Sequence, residues 1–361
     1  MFSEGLKGIV AAQTSISHIY GKEGILIYRG YEIGEISHLS FEEAAFLLWY
    51  GYLPTEEDAE EIKNRLNTNR KLTPGMKDIL HSLPEEMDIM SALRTVISSL
   101  GVPEYNWKPT IEQSLRLTAV IPTIIAYRFN LVMDRPLFEP VTELSHVENY
   151  LYMLTGKSPS KAVADALETY MVLTLEHGMN ASAFSARVTA STESDLVSAI
   201  TSAIGTMKGP LHGGAPSGVI DLLNEIGVAE KAESVIRGKV LKGEKLMGFG
   251  HRVYKTHDPR AIALRKKLLE NQGDDPSLDL ALFVEKKAIE LLAEMKPGRS
   301  LYTNVEFYAA AIMKSINLPS DLFTPTFTAS RIVGWTAHVL EQAENNIIFR
   351  PQSEYIGIRK A

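Results

Sequence analysis

Residues 111–130 read IEQSLRLTAVIPTIIAYRFN. The apolar residues recur at a helical period, which predicts a long helix kinked at Pro122, where a ring replaces the amide proton. The same period returns on both sides. Ser40 reads as the N-cap of FEEAAFLLWYGYL, and Pro54-Thr55 as the opening of EEDAEEIKNRLN. MSALRTVISSLG follows, and Ser158-Pro159 opens a helix through SKAVADALETYMVLTLEHG. Thr192 and Asp195 form a capping-box pattern before LVSAITSAIGTM. Asp258 as N-cap and Pro259 at the first helical position open PRAIALRKKLLENQG, and SLDLALFVEKKAIELLAEM comes next. Strand signals are confined to EGILIYRGYEI, a short hairpin near the N-terminus. The pattern predicts an all-α fold of helices packed in layers.

A chain of 361 residues is too long for one ordinary core and suits two domains of unequal size. A net charge of −7 gives no general field for nucleic acid or an anionic membrane, so an anionic ligand needs local Arg, Lys or His. The absence of cysteine excludes disulfides, thiolate nucleophiles and Cys-metal sites. MFSEGLKGIVAAQTS lacks the basic and apolar regions of a signal peptide, and the apolar runs are too short for a membrane span. The expected setting is cytoplasmic.

Gly and Pro cluster in GPLHGGAP (209–216), MGFGHRVYKTHDPR (247–260) and KPGRS (296–300), where loops interrupt the helical pattern. In the first, small residues flank His212 and allow a ligand or a backbone to approach; the alternative is a loop histidine with a satisfied ring. The second carries Gly248, Gly250, His251, Arg252, Lys255, His257 and Arg260, a cationic loop suited to phosphate or carboxylate. It is not a P-loop. Arg260 falls in a first helical turn, where the macrodipole disfavours a cation. It holds a ligand anion there, or else it pairs with a neighbouring carboxylate. His177 ends a long helix, where an imidazolium would stabilise the helix terminus. Arg331 and Arg350 sit among apolar residues and need a partner anion or a snorkelling path to water, with Glu341 and Glu344 as candidate structural partners. Glu306 stands in LYTNVEFYAAAI, 301–312, either as a base or as the far end of a capping box with Thr303. No metal-ligand motif and no nucleophile elbow occur. One carboxylate, histidines and arginines in separate loops suit acid–base chemistry on a small polyanion.

Together the stretches LEHGMNAS (175–182), GPLHGGAP (209–216), LMGFGHRVYKTHDPR (246–260), LYTNVEFY (301–308), SRIVGW (330–335) and RPQSEY (350–355) resemble the citrate synthase family. The length resembles the short bacterial and archaeal forms, without the extra N-terminal domain of the longer NADH-inhibited enzymes. The resemblance implies an all-α homodimer with a large helical domain, residues 1–213 and 318–361, and a small helical domain, residues 214–317, that closes over the substrates. It implies condensation of acetyl-CoA with oxaloacetate, then hydrolysis of citryl-CoA to citrate and CoA, with no cofactor and no metal.

By the same resemblance Glu306 is the base for the acetyl methyl group. His212 hydrogen-bonds the enol or enolate, and His251 polarises the oxaloacetate carbonyl. His177, Arg260 and Arg331 are oxaloacetate or citrate ligands, and Arg350 reaches into the partner subunit's site. Lys245, Leu246, Met247, Gly248 and Phe249 contact CoA, with Arg252 and Lys255 toward its phosphates. One residue departs from the pattern: the family's usual NVDFY is NVEFY here. Glutamate is only about 0.4 units less acidic than aspartate. The added methylene matters more, since misplacing a reacting group by about 1 Å can cost on the order of 100-fold. The alternatives are a 2-methylcitrate synthase using propionyl-CoA and a non-catalytic protein that binds CoA or a dicarboxylate.

Overall fold

Sixteen α-helices and three short strands are found in the described residues of this computed structural model, which are 2–213, 215–251, 253–270, 276–299 and 301–359. The strands come first: β1 Ser17–Tyr20, β2 Ile25–Tyr28 and β3 Tyr31–Glu32. They form one antiparallel sheet in the order β1-β2-β3, with Ser17 opposite Tyr28 and Ile27 opposite Glu32. The β2–β3 hairpin lies in EGILIYRGYEI as expected; the preceding β1 adds a strand that the pattern did not reveal.

The helices of the first half are α1 Ile33–Ile36, α2 Phe41–Tyr50, α3 Glu56–Asn69, α4 Pro74–Ser82, α5 Ile89–Ser98, α6 Ile111–Val132 and α7 His146–Thr155. Then come α8 Lys161–Thr174, α9 Ala181–Ser191, α10 Leu196–Met207, α11 Ala215–Ile226 and α12 Ala232–Leu241. The last four are α13 Pro259–Leu269, α14 Pro276–Met295, α15 Val305–Ser315 and α16 Phe323–Glu344.

Capping explains most of the starts. Ser40 with Glu43 and Thr55 with Asp58 form reciprocal boxes at α2 and α3, and Asp258 caps α13. Each such cap stabilises its helix by about 0.5–2 kcal/mol. Two starts differ from expectation. α8 begins at Lys161 with Ser160 as its cap, not at Ser158-Pro159. Asp195 alone caps α10, because Thr192 closes the preceding α9.

α6 runs as one helix through Pro122. Among the described residues it is the one helix long and apolar enough to cross a membrane, and it is buried within the protein. α16 plays the same central part. It packs against α2, α5, α6, α8, α9 and α10, with Trp335 wholly buried. Helices apolar on nearly every side need such all-round cover. The second group, α11–α15, is built around α15, which packs on α11, α13 and α14. It meets the first group where α13 and α15 touch α8 and where α13 touches α1. The loops with the candidate residues converge at that seam.

Candidate active site

α8 stops at Thr174, and the chain turns through Glu176 to His177. Glu176 is fully buried and receives hydrogen bonds at Oε1 from Ser17 Oγ and His338 Nε2, both at 3.0 Å. Burial alone would raise its pKa, but His338 and nearby Arg331 hold it below the ordinary value. His338 Nδ1 accepts from Arg187 Nε at 2.9 Å, and Arg187 in turn pairs with Glu341. This buried chain fixes the turn from below. His177 Nε2 lies 3.1 Å from Tyr254 Oη, and its ring meets His251 edge-on with centroids 5.7 Å apart. Burial, then Arg260 and Arg331, push its pKa well below the ordinary value. Both effects favour the neutral ring over a helix-end imidazolium.

His251 follows Gly250, and its Nδ1 accepts the N–H groups of Val253 and Tyr254, each at 3.0 Å. Nε2 must then carry the proton, leaving a donor for a ligand. Burial first, and Arg260 second, lower its pKa to about 4. Asp258 organises the next turn. It caps α13, chelates Arg260 at 3.0 Å and 2.9 Å, and accepts from Val305 N at 3.2 Å, joining the starts of α13 and α15. Arg260 is thus paired with a neighbouring carboxylate, and it also lines the cavity described below.

Arg331 is 2% exposed. Its Nε donates to Thr174 O at 2.8 Å, and its guanidinium lies 4.6 Å from the Phe327 ring centroid. No carboxylate pairs with it among the described residues; Glu341 is taken by Arg187 and Ser15, and Glu344 is exposed. Burial lowers its pKa. A buried guanidinium without a counter-ion is costly unless an anion joins it.

His212 presents Nε2 to Ser182 Oγ at 2.8 Å. The same hydroxyl lies 2.8 Å from Asn180 Oδ1 and accepts from Trp335 Nε1 at 2.9 Å. Burial, then Arg331, lower the His212 pKa to about 4. Ser182, Asn180 and Trp335 lie within the quoted motifs, yet nothing in the local spacing singled them out. Tyr254 was missed in the same way.

Glu306 corrects an expectation. The cap of α15 is Asn304, whose Oδ1 accepts from Glu306 N at 3.1 Å. Thr303 gives its hydroxyl to Glu285 Oε1 at 3.0 Å, so the Thr303–Glu306 capping box does not form. Among the described residues no hydrogen bond engages the Glu306 carboxylate. Burial raises its pKa, against the pull of Arg260.

A cavity of about 830 Å³ is lined by His177, His212, His251, Arg260, Glu306 and Arg331. Residues of the N-terminal segment between Gly5 and Ala12 also face it, a contribution the motifs did not announce. The other expected residues lie elsewhere. Lys245, Leu246, Met247, Gly248 and Phe249 run beside the start of α15, where Gly248 O accepts from Asn304 N at 2.9 Å. They are not among the residues lining the cavity. Lys255 is exposed, Arg252 lies outside the described residues, and Arg350 is exposed on the segment after α16. Among the described residues no cluster of His, Asp and Glu is arranged to hold a metal ion.

This arrangement offers three neutral imidazoles, one free carboxylate as a base and two guanidiniums for an anion. It resembles known proteins over its whole length. A family signature described as citrate synthase, C-terminal domain, matches residues 5–352. The citrate synthase of Synechocystis sp. is 39% identical, covering 99% of this chain and 91% of that protein. The 2-methylcitrate synthase of Shewanella oneidensis is 36% identical, covering 98% and 94%. In three dimensions the chain is similar to a citrate synthase from Thermoplasma acidophilum solved as a ternary complex with carboxymethyl coenzyme A and oxaloacetate. That match has a TM-score of 0.90 at 28% identity and covers 100% of this chain and 97% of the other.

Proposed function

The chain belongs to the citrate synthase family, and from that membership we propose that it condenses acetyl-CoA with oxaloacetate and releases citrate and CoA. The observation that carries the catalytic reading is the Glu306 carboxylate. It is free of any capping role, and it faces the same cavity as His212 and His251.

Glu306 takes a proton from the acetyl methyl group. The negative charge moves to the thioester oxygen, where His212 donates through Nδ1. A thioester methyl is a weak carbon acid, so a preorganised donor at that oxygen is required, and such donors are worth roughly 3–4 kcal/mol. The enolate carbon attacks the oxaloacetate carbonyl carbon while His251 Nε2–H protonates the carbonyl oxygen. Water then cleaves the citryl thioester, releasing citrate and CoA. Arg260, Arg331 and His177 hold the carboxylates; a planar guanidinium fixes their orientation.

The same reading makes residues 214–317 the small domain that closes over the substrates and excludes water. It also carries a homodimer in a cytoplasmic setting, with Arg350 entering the partner's cavity and the 245–249 stretch, Arg252 and Lys255 contacting CoA. The exposed apolar side chains of the tail, Ile347, Ile348, Tyr355, Ile356 and Ile358, favour a partner surface there.

The test is CoA release from oxaloacetate with acetyl-CoA or, separately, propionyl-CoA. Wild type turns over faster with acetyl-CoA, and Glu306→Gln loses roughly 10²–10⁴-fold in kcat. Faster turnover of propionyl-CoA selects the 2-methylcitrate reaction, which relatives of similar identity are named for. A silent wild type beside an active Glu306→Asp overturns the catalytic reading and leaves a binding protein.

A further inference from the structure

The three-stranded sheet is small, yet both histidine loops of the oxaloacetate pocket hang from its first hairpin. At one end, Ser17 Oγ donates to Glu176 Oε1 at 3.0 Å and accepts from Gly178 N at 3.2 Å, gripping both neighbours of His177. Tyr28, opposite Ser17, adds a second grip. Its Oη donates to Glu176 O at 2.7 Å and accepts from Glu176 N at 3.1 Å.

At the other end, the turn from Gly21 to Gly24 meets the loop that follows His251. Gly21 O accepts from Lys255 N at 2.7 Å. A Cβ on Gly21 would stand 2.6 Å from Val253 O, and one on Gly24 would stand 2.8 Å from His257 O. Only the absence of a side chain lets these backbones meet. The same loop supplies the Val253 and Tyr254 amides that hold His251 Nδ1, and the Tyr254 hydroxyl that meets His177. The hairpin therefore touches the backbone on both sides of the pocket, across a strand about 13 Å long.

We infer that the β1–β2 hairpin is a positioning device, with Ser17 and Gly21 as its two ends, setting the separation of His177 from His251 and hence the fit of the oxaloacetate dianion. The inference rests on reading the cavity as the oxaloacetate site. It assigns no chemistry to Ser17 or Gly21; both act through the loops they hold.

Gly21→Ala tests it. Gly21 has no left-handed φ, so a methyl group there acts as a wedge against Val253 O without straining its own backbone. The expected result is a loss on the order of 100-fold in kcat/KM for oxaloacetate. The KM for acetyl-CoA stays within about twofold, while the melting temperature falls, because the methyl group meets backbone that cannot yield cheaply. Ser17→Ala gives a smaller loss with the same substrate bias, and Ser17→Thr restores part of it. Lys22→Ala, at an exposed position of the same turn, changes nothing. A folded Gly21→Ala with wild-type oxaloacetate kinetics overturns the inference, as does an equal loss for both substrates. Should Gly21→Ala fail to fold, the two Ser17 variants decide the matter through the same pair of KM values: a bias toward oxaloacetate supports the inference, and its absence overturns it. If wild type itself does not turn over, the catalytic reading fails separately, and oxaloacetate titration by calorimetry still compares the variants.

Discussion

The loops of His212 and His251 reach the same charge state by different means. His212 and His251 are both pushed down to about 4, so both are neutral near pH 7. His251 has its tautomer set by main chain: two amides occupy Nδ1, and amides cannot exchange donor for acceptor. Those amides also stabilise the negative charge that grows on the ring as Nε2–H moves toward a carbonyl oxygen. His212 instead faces a rotor. Ser182 has one proton and two neighbours able to take it, Asn180 Oδ1 and His212 Nε2, while Trp335 fills a lone pair. Only when the hydroxyl turns toward His212 does Nδ1 carry the proton that an enolate oxygen needs. A backbone-set donor is fixed with the fold; a hydroxyl-set donor can be tuned or lost by one substitution.

The strongest way to break the comparison is to remove each ring. His251→Ala and His212→Ala should each lower kcat by roughly 10²–10³-fold, the usual cost of one oxyanion donor, measured by CoA release. A large difference between them would mean that the two donors do not share the work.

A finer cut removes the groups behind the rings. Ser182→Ala deletes the rotor and should cost about tenfold in kcat, in line with one hydrogen bond of roughly 1–1.5 kcal/mol. Tyr254→Phe leaves both amides on His251 and should keep kcat within about threefold, raising instead the KM for oxaloacetate through His177. If Ser182→Ala is silent, the tautomer of His212 is set by some other contact.

The smallest effect is in pH. Protonating Glu306 stops proton abstraction, and burial puts its pKa above the ordinary carboxylate value, whereas the two histidines charge only near 4. The acid limb of kcat/KM should belong to Glu306 and move down by about 0.4 units in Glu306→Asp. A limb that ignores this substitution would assign the titration to another group.

The helices were legible because their caps are local. Ser40, Thr55 and Asp258 announce α2, α3 and α13 within four residues of sequence. The misplaced starts share one feature: two cap-forming residues stood close together. At α15 a distant contact chose between them. Thr303 spends its hydroxyl on Glu285, on a neighbouring helix, which leaves the cap to Asn304. The residue types of the cavity could be read from the motifs, since His in glycine-rich loops and Arg at a helix start or in an apolar run are visible in one dimension. Their supports could not. Ser182 is far in sequence from both His212 and Trp335, and Gly21 is farther still from the loop it braces. No spacing rule spans such separations.

Arg331 has a consequence for the protein before it meets a ligand. Its guanidinium is held out of water with no ion-paired carboxylate among the described residues, and nearby Glu176, already engaged by Ser17 and His338, offsets its charge only in part, so the unliganded fold carries electrostatic strain. A dicarboxylate that enters supplies both a ligand and a missing counter-ion, and whatever binds only the native state stabilises it by mass action. The cavity thus discriminates by charge before it discriminates by shape: a neutral diester of the same outline would leave the strain in place. Resistance to unfolding should then track how much dianion surrounds the protein, making the fold's durability an index of its own substrate supply.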